Sequence, residues 1–325
     1  SVYAATAATC SVAVGRVSFA LGLQGPCVSF DTACSSSLAA LHAGSRALQH
    51  AECGTALVAG VNMMFDRDAT MGIALAGMTS ALGACHTFDA RADGYVRGEA
   101  LTSTLLEPAK EGRRVSYSLL GSCVRQDGKS ASLTAPNGVA QQGLLEGALS
   151  DASTRAGEVM CIEAHGTGTA LGDPIEVRSL ASVVLSSGDL SAPLALGSIK
   201  ANVGHAEPAA GATGLLRLAM GMASGTAPPN ANLRVINPHV DSALEGMHTV
   251  MGDLISYRQQ LHKRFNNDLF KVAHPTLNLG CIHGGDSPNR ICGQAELHFD
   301  LRMVPGGDNA TVHAEIEHAG DEDKQ

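Results

Sequence analysis

Short apolar runs alternate with helical patterns of small residues along the first 240 residues of the chain. Residues 27–30 have a β-like pattern, and residues 56–61 form a compact apolar run typical of a buried parallel strand. The same reasoning predicts strands at residues 115–124, 159–164 and 195–199, and helices after residue 35, at residues 141–149 and at residues 209–222. Because strands alternate with helices, the pattern predicts an α/β protein with parallel layers.

The pattern changes after about residue 240. Residues 242–270 have a polar helical pattern with apolar positions at three- and four-residue spacing. Residues 276–279 and 296–302 follow, and the second of these runs alternates as a half-exposed strand does. We therefore predict two domains, 1–239 and 240–325, of which the second is a small α+β domain.

Composition and charge argue against several classes of protein. The net charge is −9 with no basic stripe, so nucleic-acid binding is not expected. The nine cysteines form no Cys-x-x-Cys pair, which disfavours a zinc ribbon and a secreted disulfide framework and favours a reduced, cytoplasmic compartment. No apolar run approaches about 20 residues, so no membrane span is expected. The sequence starts in mid-domain, and we expect it to be a fragment.

The run Asp-Thr-Ala-Cys-Ser-Ser-Ser at residues 31–37 contains a candidate nucleophile, Cys34. A predicted strand, a tight turn and a helix surround it, and this geometry presents a nucleophile at a helix N-terminus. The helix favours the thiolate by only about 0.3–1 kcal/mol, whereas one pKa unit corresponds to about 1.4 kcal/mol. A reactive Cys34 therefore needs a second group, and histidine is the obvious candidate. A small buried structural cysteine fits this stretch equally well.

Two histidines occur in matching contexts. His165 and His205 each lie in a Gly-flanked turn after a predicted strand, where side chains reach a cleft. A single histidine after a strand is more often structural than catalytic. Two of them, together with Cys34 at a helix start, predict a Cys-His-His site in one cleft.

Three motifs together resemble the signatures of β-ketoacyl synthases, and most closely the ketosynthase domains of modular polyketide synthases. They are the run at residues 31–37, Glu-Ala-His-Gly-Thr-Gly-Thr with the following Gly-Asp-Pro at residues 163–174, and Lys-Ala-Asn-Val-Gly-His at residues 200–205. The likeness covers residues 10–239 and implies a thiolase-like layered α/β fold. Members of this family have further chain before Ser1 and a closing Gly-Phe-Gly-Gly-Thr-Asn type of turn that is not found here. We therefore expect a domain that is incomplete at both ends.

The resemblance also implies a chemistry, the decarboxylative Claisen condensation of acyl and malonyl thioesters. Cys34 is expected to carry the acyl chain, while His165 and His205 bind the malonyl thioester carbonyl and Lys200 supports the site. The candidate substrate-binding residues, of which the two threonines match positions lining the phosphopantetheine arm, are Thr167, Thr169, Asp173 and Asn202. The resemblance implies no bound cofactor. The implied partners are an acyl-carrier protein, which brings the phosphopantetheine arm, and a second copy of the chain, with no membrane or nucleic acid.

Residues 242–309 resemble an unrelated family, through the lid or dimerisation domain of acetylornithine deacetylase-like zinc amidohydrolases. Asn289 and Arg302 match positions that lie near the substrate carboxylate in those enzymes, but the metal-binding catalytic domain has no counterpart here. His283 and His298 are better explained as structural residues than as zinc ligands. We expect this domain to add nothing to the Cys34 site.

Other functions remain open at this stage. A catalytically inactive ketosynthase remnant could serve in dimerisation or carrier-protein docking. A papain-like protease has comparable Cys-to-His spacing, but the flanking residues of its cysteine are absent and so is tryptophan. A zinc amidohydrolase is a more distant alternative. For the chain itself, we expect Cys34 to accept an acyl group while condensation is weak or absent.

Overall fold

The structure is a computed structural model of the 325-residue chain. It describes residues 6, 9–109, 116–130, 132, 135–185, 194–240, 276–284 and 295–302. The chain divides into two compact units, Ser1–Leu244 and Glu245–Gln325.

The first unit alternates helices with short strands. Its first half contains α1 (Cys10–Leu21), α2 (Ser36–Gln49), β1 (Ala56–Asn62), α3 (Arg67–Leu75) and β2 (Ala100–Leu106). Its second half contains α4 (Gly138–Asp151), a 3-10 turn (Ala156–Glu158), β3 (Cys161–Glu163), α5 (Gly172–Leu180), a π-turn (Ala181–Leu185), β4 (Ala195–Gly197), α6 (Lys200–Val203), a second 3-10 turn (Glu207–Ala209) and α7 (Ala210–Ser224).

Strand β1 pairs with β2 in an antiparallel ladder that runs from Ala56 opposite Leu106 to Asn62 opposite Ala100. The predicted parallel arrangement for residues 56–61 is therefore wrong. The reason is that only one face of β1 is buried, so the run is not the two-sided apolar strand of a parallel sheet. At Gly60 a Cβ would lie 3.1 Å from the backbone of Ala209, and the lack of a side chain allows this close packing.

Strands β3 and β4 form a parallel pair, with Cys161 opposite Ala195 and Glu163 opposite Gly197. The predicted strands at residues 159–164 and 195–199 are confirmed, although both are shorter than expected. Since parallel strands end at the same edge, the segments that follow them emerge side by side. The structure thus places the start of the His165 turn beside the start of α6.

Two predicted strands are not formed. Residues 27–30 have no ladder partner among the described residues, and the Ser29 hydroxyl instead donates to the Cys10 carbonyl. The described part of 115–124 forms no strand, and its Ser122 N–H donates to the carboxylate of Asp151, the last residue of α4. A β-like pattern needs a neighbouring strand to become a ladder, and side-chain contacts take its place here.

The helical predictions agree better with the structure. The helices expected at residues 141–149 and 209–222 are confirmed as α4 and α7, and the helix expected after residue 35 is α2. The buried core between them uses small and branched side chains with one aromatic ring, and it consists of Phe88, Ala164, Val177, Leu180 and Val240. No helix in the described part of the chain is long and apolar enough to cross a membrane.

In the second unit the structure describes an antiparallel strand pair, β5 (Thr276–Gly284) and β6 (Ala295–Arg302). The predicted strands at residues 276–279 and 296–302 lie within them. The register shifts between Leu279 and Cys281. The predicted helix at 242–270 and Asn289 lie outside the described residues, as do the side chains of His283, His298 and Arg302.

Candidate active site

Cys34 lies in a tight turn directly before α2, and the helix itself begins two residues later, at Ser36. The preceding residue, Ala33, has a φ of 52°, a left-handed conformation that is strained for a residue with a side chain. The buried Ser36 hydroxyl holds this turn, since it accepts from the Thr32 N–H at 2.8 Å and donates to the Ala33 carbonyl at 2.7 Å. The turn thereby fixes the backbone from which the Cys34 thiol projects.

Burial raises the pKa of the Cys34 thiol above its ordinary value. The Lys200 cation acts in the opposite direction but does not cancel the effect, and the Glu207 carboxylate adds to the increase. The sequence led us to expect a helix N-terminus that favours the thiolate. In the structure desolvation outweighs that contribution, so Cys34 at neutral pH is a thiol that needs a proton acceptor to react.

His165 follows β3 and is held through its backbone. The Glu176 carboxylate accepts from the N–H of His165 at 2.5 Å and from the N–H of Gly166 at 2.8 Å. Gly166 has a φ of 45°, and a Cβ there would lie 2.6 Å from the Ser198 side chain. This arrangement places the His165 Nε2 atom 3.9 Å from the Cys34 sulfur.

His205 is held by backbone bonds and by its ring. Its N–H donates to the Val96 carbonyl at 2.7 Å, and its carbonyl accepts from the Gly98 N–H at 2.8 Å. The ring Nδ1 accepts the Glu207 N–H at 3.0 Å, so the neutral ring carries its proton on Nε2. Tyr95 packs edge-on against this ring at a centroid distance of 4.9 Å.

The imidazole rings of His165 and His205 pack edge to face. Their centroids are 5.6 Å apart with an interplanar angle of 86°. Desolvation, reinforced by the Lys200 cation, lowers the pKa of each ring to about 3. His165 keeps an exposed edge, where solvent weakens the effect without reversing it. Both rings are therefore neutral at pH 7 and can donate hydrogen bonds.

Lys200 lies at the start of α6 and is only 4% exposed. Desolvation lowers the pKa of its ammonium group, while the carboxylates of Glu176 and Glu163 act in the opposite direction. Glu163 in turn forms a buried ion pair with Arg217 and accepts the Ile199 N–H at 2.6 Å. Lys200 is thus a buried residue next to the site, and the charges of Glu176 and Glu163 favour its protonated form.

The four candidate substrate-binding residues do not share one environment. Thr167 is buried, and its hydroxyl lies 3.3 Å from that of Thr169. Asn202 is exposed on α6. Asp173 is buried, and its carboxylate accepts from the backbone N–H groups of Phe88 and Gly168 at 2.8 and 3.1 Å. These bonds favour a role for Asp173 in holding two loops together rather than the substrate contact expected from the sequence.

Cys34, His165 and His205 are the right residue types for a metal ion, and their ligand atoms lie within 4.8 Å of one another. The hydrogen bonding of His205 argues against this use. A metal at Nε2 requires the ring proton on Nδ1, where it would face the N–H of Glu207. The geometry favours hydrogen-bond donation from Nε2 instead.

Several residues around the site were not identified from the sequence, namely Tyr95, Arg97, Glu176 and Glu207. Glu207 is two residues from His205, and Glu176 is one helical turn after Asp173 on the same helix. Proximity to the motifs was therefore an available signal. Tyr95 and Arg97 come from a distant, turn-rich segment, and their sequence context gave no such signal.

Comparison with known proteins places these motifs in a family. Residues 1–112 match the N-terminal domain of beta-ketoacyl synthases, and residues 117–234 match the C-terminal domain. Residues 234–324 match the peptidase dimerisation domain, which confirms the second resemblance. Both domains of one enzyme family are thus present in their order.

One phenolphthiocerol/phthiocerol polyketide synthase protein of Mycobacterium tuberculosis is 42% identical over 234 residues, which are 71% of this chain and 12% of that protein. The ketosynthase from module 6 of the bacillaene synthase of Bacillus subtilis superposes with a TM-score of 0.68 at 35% identity, over 70% of this chain and 42% of that one. An oxazolomycin ketosynthase domain from Streptomyces albus gives a TM-score of 0.69 at 33% identity, over 72% of this chain and 42% of that one.

The chain therefore spans about an eighth of the curated relative and less than half of each solved ketosynthase. Its α/β architecture is that of the thiolase-like ketosynthase domains, as expected. Residues 234–324 are similar to a second family, the peptidase dimerisation domain. With both domains of the ketosynthase family matched in order over its first 234 residues, this chain belongs to the β-ketoacyl synthases.

Proposed function

We propose that this chain is a polyketide-type ketosynthase that condenses acyl and malonyl thioesters through an acyl-Cys34 intermediate. The observation that carries the proposal is the convergence of Cys34, His165 and His205, whose reactive atoms lie within 4.8 Å of one another. The names of the relatives, all of them polyketide synthases or ketosynthases, support the same class of reaction.

The first step transfers the acyl chain. The Cys34 thiol gives up its proton and its sulfur forms a bond to the acyl carbonyl carbon. The bond from that carbon to the carrier thiol breaks, and the carrier thiol leaves with a proton. The Cys34 proton passes through solvent to the departing carrier thiolate, and His165, with Nε2 3.9 Å from the sulfur, donates a hydrogen bond to the Cys34 thiolate that forms.

The second step forms the carbon–carbon bond. Malonyl thioester loses carbon dioxide, and the electron pair left behind forms an enolate. The enolate carbon attacks the acyl carbonyl on Cys34, the carbon–sulfur bond breaks, and the Cys34 thiolate takes up a proton. His165 and His205 donate hydrogen bonds to the enolate oxygen, a role that needs the neutral rings which burial favours.

The remaining assignments follow from this mechanism. Lys200 supplies a buried positive charge that favours the developing enolate and thiolate. Thr167, Thr169 and Asn202 are proposed to contact the phosphopantetheine arm of an acyl-carrier protein, and Asp173 to hold the Thr167 loop. A homodimer is the proposed assembly, and a cytoplasmic location stays a prediction.

The test separates the two steps. The purified chain is incubated with an acyl thioester, and the mass added to the peptide containing Cys34 is measured. A malonyl thioester of a carrier protein is then added, and carbon dioxide and the condensed product are followed. The proposal expects acylation of Cys34 and product release at a slow rate. Folded protein that never acylates Cys34 would contradict it.

A second candidate is a catalytically inactive ketosynthase. One observation favours it, because burial raises the pKa of the Cys34 thiol and leaves the resting nucleophile weaker than an ordinary cysteine. This candidate predicts no acylation even at high pH. The acylation experiment at pH 9 therefore distinguishes the two functions.

A further inference from the structure

An ion pair lies next to His205, outside the residues that carry the proposed chemistry. Arg97 and Glu207 form two parallel hydrogen bonds, Nε to Oε1 at 2.6 Å and Nη2 to Oε2 at 2.7 Å. Their side chains are 9% and 17% exposed. The third guanidinium nitrogen, Nη1, donates to the Thr70 hydroxyl at 2.5 Å. The pair is therefore a largely buried, bidentate contact with fixed geometry.

Glu207 contacts His205 through its own backbone, and the two residues that flank Arg97 contact His205 through theirs. Arg97 stands beside His205 in a short parallel bridge, formed by the bonds from His205 to Val96 and from Gly98 to His205. Glu207 donates its N–H to the His205 ring at Nδ1. The ion pair thus joins the two chain segments that hold the His205 backbone and the His205 ring.

Glu207 has a φ of 44°, in the left-handed region that residues with a side chain seldom adopt. Such a conformation persists only where surrounding contacts hold it in place. The bidentate bond to Arg97 holds the Glu207 side chain, and the Ala210 N–H donates to the Glu207 carbonyl. Without the bond to Arg97, the backbone of Glu207 is free to relax and its N–H to turn away from Nδ1.

We propose that the Arg97–Glu207 pair is a positioning device that fixes the orientation of the His205 ring and keeps its proton on Nε2. The inference rests on the proposed function, in which that proton is donated to the enolate oxygen. It assigns no chemical step to either residue. Both act through His205.

The tautomer of His205 can be measured without any turnover. The full chain is prepared with 15N-labelled histidine, and the ring signals are recorded at pH 7 by long-range 1H–15N correlation. The chain has 13 histidines, so the His205 signals are assigned by their loss in His205→Gln. The wild-type chain is expected to show one tautomer, with Nδ1 unprotonated.

Arg97→Met and Glu207→Gln are expected to give a second tautomer population or a broadened His205 signal. Arg97→Lys keeps the charge but loses the two parallel bonds. Its population of the second His205 tautomer should be intermediate between that of these two variants and that of the wild type. The matched control is Arg155→Met, which removes an Arg–Glu pair at 2.9 Å on the exposed surface and should leave the His205 signals unchanged.

Retention of a single, unshifted Nε2–H tautomer in both Arg97→Met and Glu207→Gln would overturn the proposal. So would unfolding of both variants, because the pair would then be a general stability element. His42, whose Nδ1 lies 2.9 Å from the Ser122 hydroxyl, serves as an internal reference, and its signals should not move in the folded variants.

The activity measurement adds a second readout. Arg97→Met is expected to lower malonyl decarboxylation by about tenfold to a hundredfold, as for other displaced catalytic groups, with Cys34 acylation changed by less than about twofold. Equal loss of both steps would contradict a role through His205. A wild-type chain that performs neither step would refute the proposed function, while the tautomer measurement would still decide the role of the pair.

Discussion

The turns around the candidate site and the outer face of the β1–β2 sheet are organised in opposite ways. Carboxylates hold the site, and two of them accept backbone N–H groups, as Glu176 does from His165 and Asp173 from Gly168. The sheet presents Leu57, Val61, Leu101 and Leu105 on its exposed face. Polar contacts thus fix the site. The described residues leave the outer apolar face of the β1–β2 sheet uncovered. Catalytic geometry and sheet packing can therefore be tested separately.

The largest expected effect is at the nucleophile. Cys34→Ala should abolish acyl transfer to the chain, because no other thiol has a histidine Nε2 within reach among the described residues. Mass spectrometry of the acylated protein measures the loss. Cys161→Ala, at an exposed cysteine outside the site, is the control and should acylate normally. Unchanged acylation of Cys34→Ala would refute the assignment.

The next effect concerns Asp89, a buried carboxylate that holds the backbone at residues 234–235. Asp89 is fully buried and accepts from the backbone of Arg234 and Val235 at 2.6 and 3.1 Å, and from the Arg91 guanidinium at 2.7 Å. Asp89→Ala leaves these donors unpaired and should lower the free energy of unfolding by about 3 kcal/mol. Urea unfolding measures the change.

The loss expected for Asp89→Ala can be compared with that of a more exposed carboxylate, Asp151, and followed as a function of pH. Asp151→Ala removes a partly exposed ion pair with Arg46 at 2.8 Å, together with the bond from the Ser122 N–H, and should cost clearly less than Asp89→Ala. The bond to Arg91 holds the pKa of Asp89 below its ordinary value. The Asp89 carboxylate therefore contributes its full share to the free energy of unfolding above about pH 4, and this contribution is lost as the pH falls further. Equal losses in Asp89→Ala and Asp151→Ala would show that burial does not matter here.

The third prediction concerns the pH dependence of the Cys34 thiol. Because burial raises the pKa of the Cys34 thiol above its ordinary value, alkylation by iodoacetamide should be slower at pH 7 than at the exposed Cys10 and Cys27. The rate should rise about tenfold for each pH unit up to at least pH 9, since the thiolate is the reactive form. Peptide-resolved mass spectrometry measures each site. A plateau below pH 8 would mean that the thiolate is stabilised after all.

The smallest expected effect is the difference in the free energy of unfolding between substitutions on the two faces of β1. Val58 is 8% exposed and Val61 is 54% exposed on the same strand. Val58→Ala should cost about 2 kcal/mol, from two buried methyl groups and the cavity they leave. Val61→Ala should change the free energy of unfolding by less than about 0.5 kcal/mol. A large loss for Val61→Ala would show that the outer face is covered in solution.

The sequence by itself determined three of the described helices, α2, α4 and α7, and the site motifs. Helices α4 and α7 follow from local periodicity, and their hydrogen bonds close within the segment, so no distant partner is needed. Cys34, His165 and His205 were identified because each lies in a small-residue turn after a predicted strand. Two of the strands failed, at residues 27–30 and 115–124, because a ladder depends on a neighbour that local sequence does not specify.

Only the tertiary structure decided the electrostatics and the supporting contacts. The sequence predicted a helix that favours the Cys34 thiolate, but the folded chain buries the thiol and raises its pKa. The Arg97–Glu207 pair joins residues 110 positions apart, and no local pattern links them. Desolvation and long-range ion pairs depend on which segments meet in space. That information arises only when the chain folds, and it is what sets the protonation state of the site.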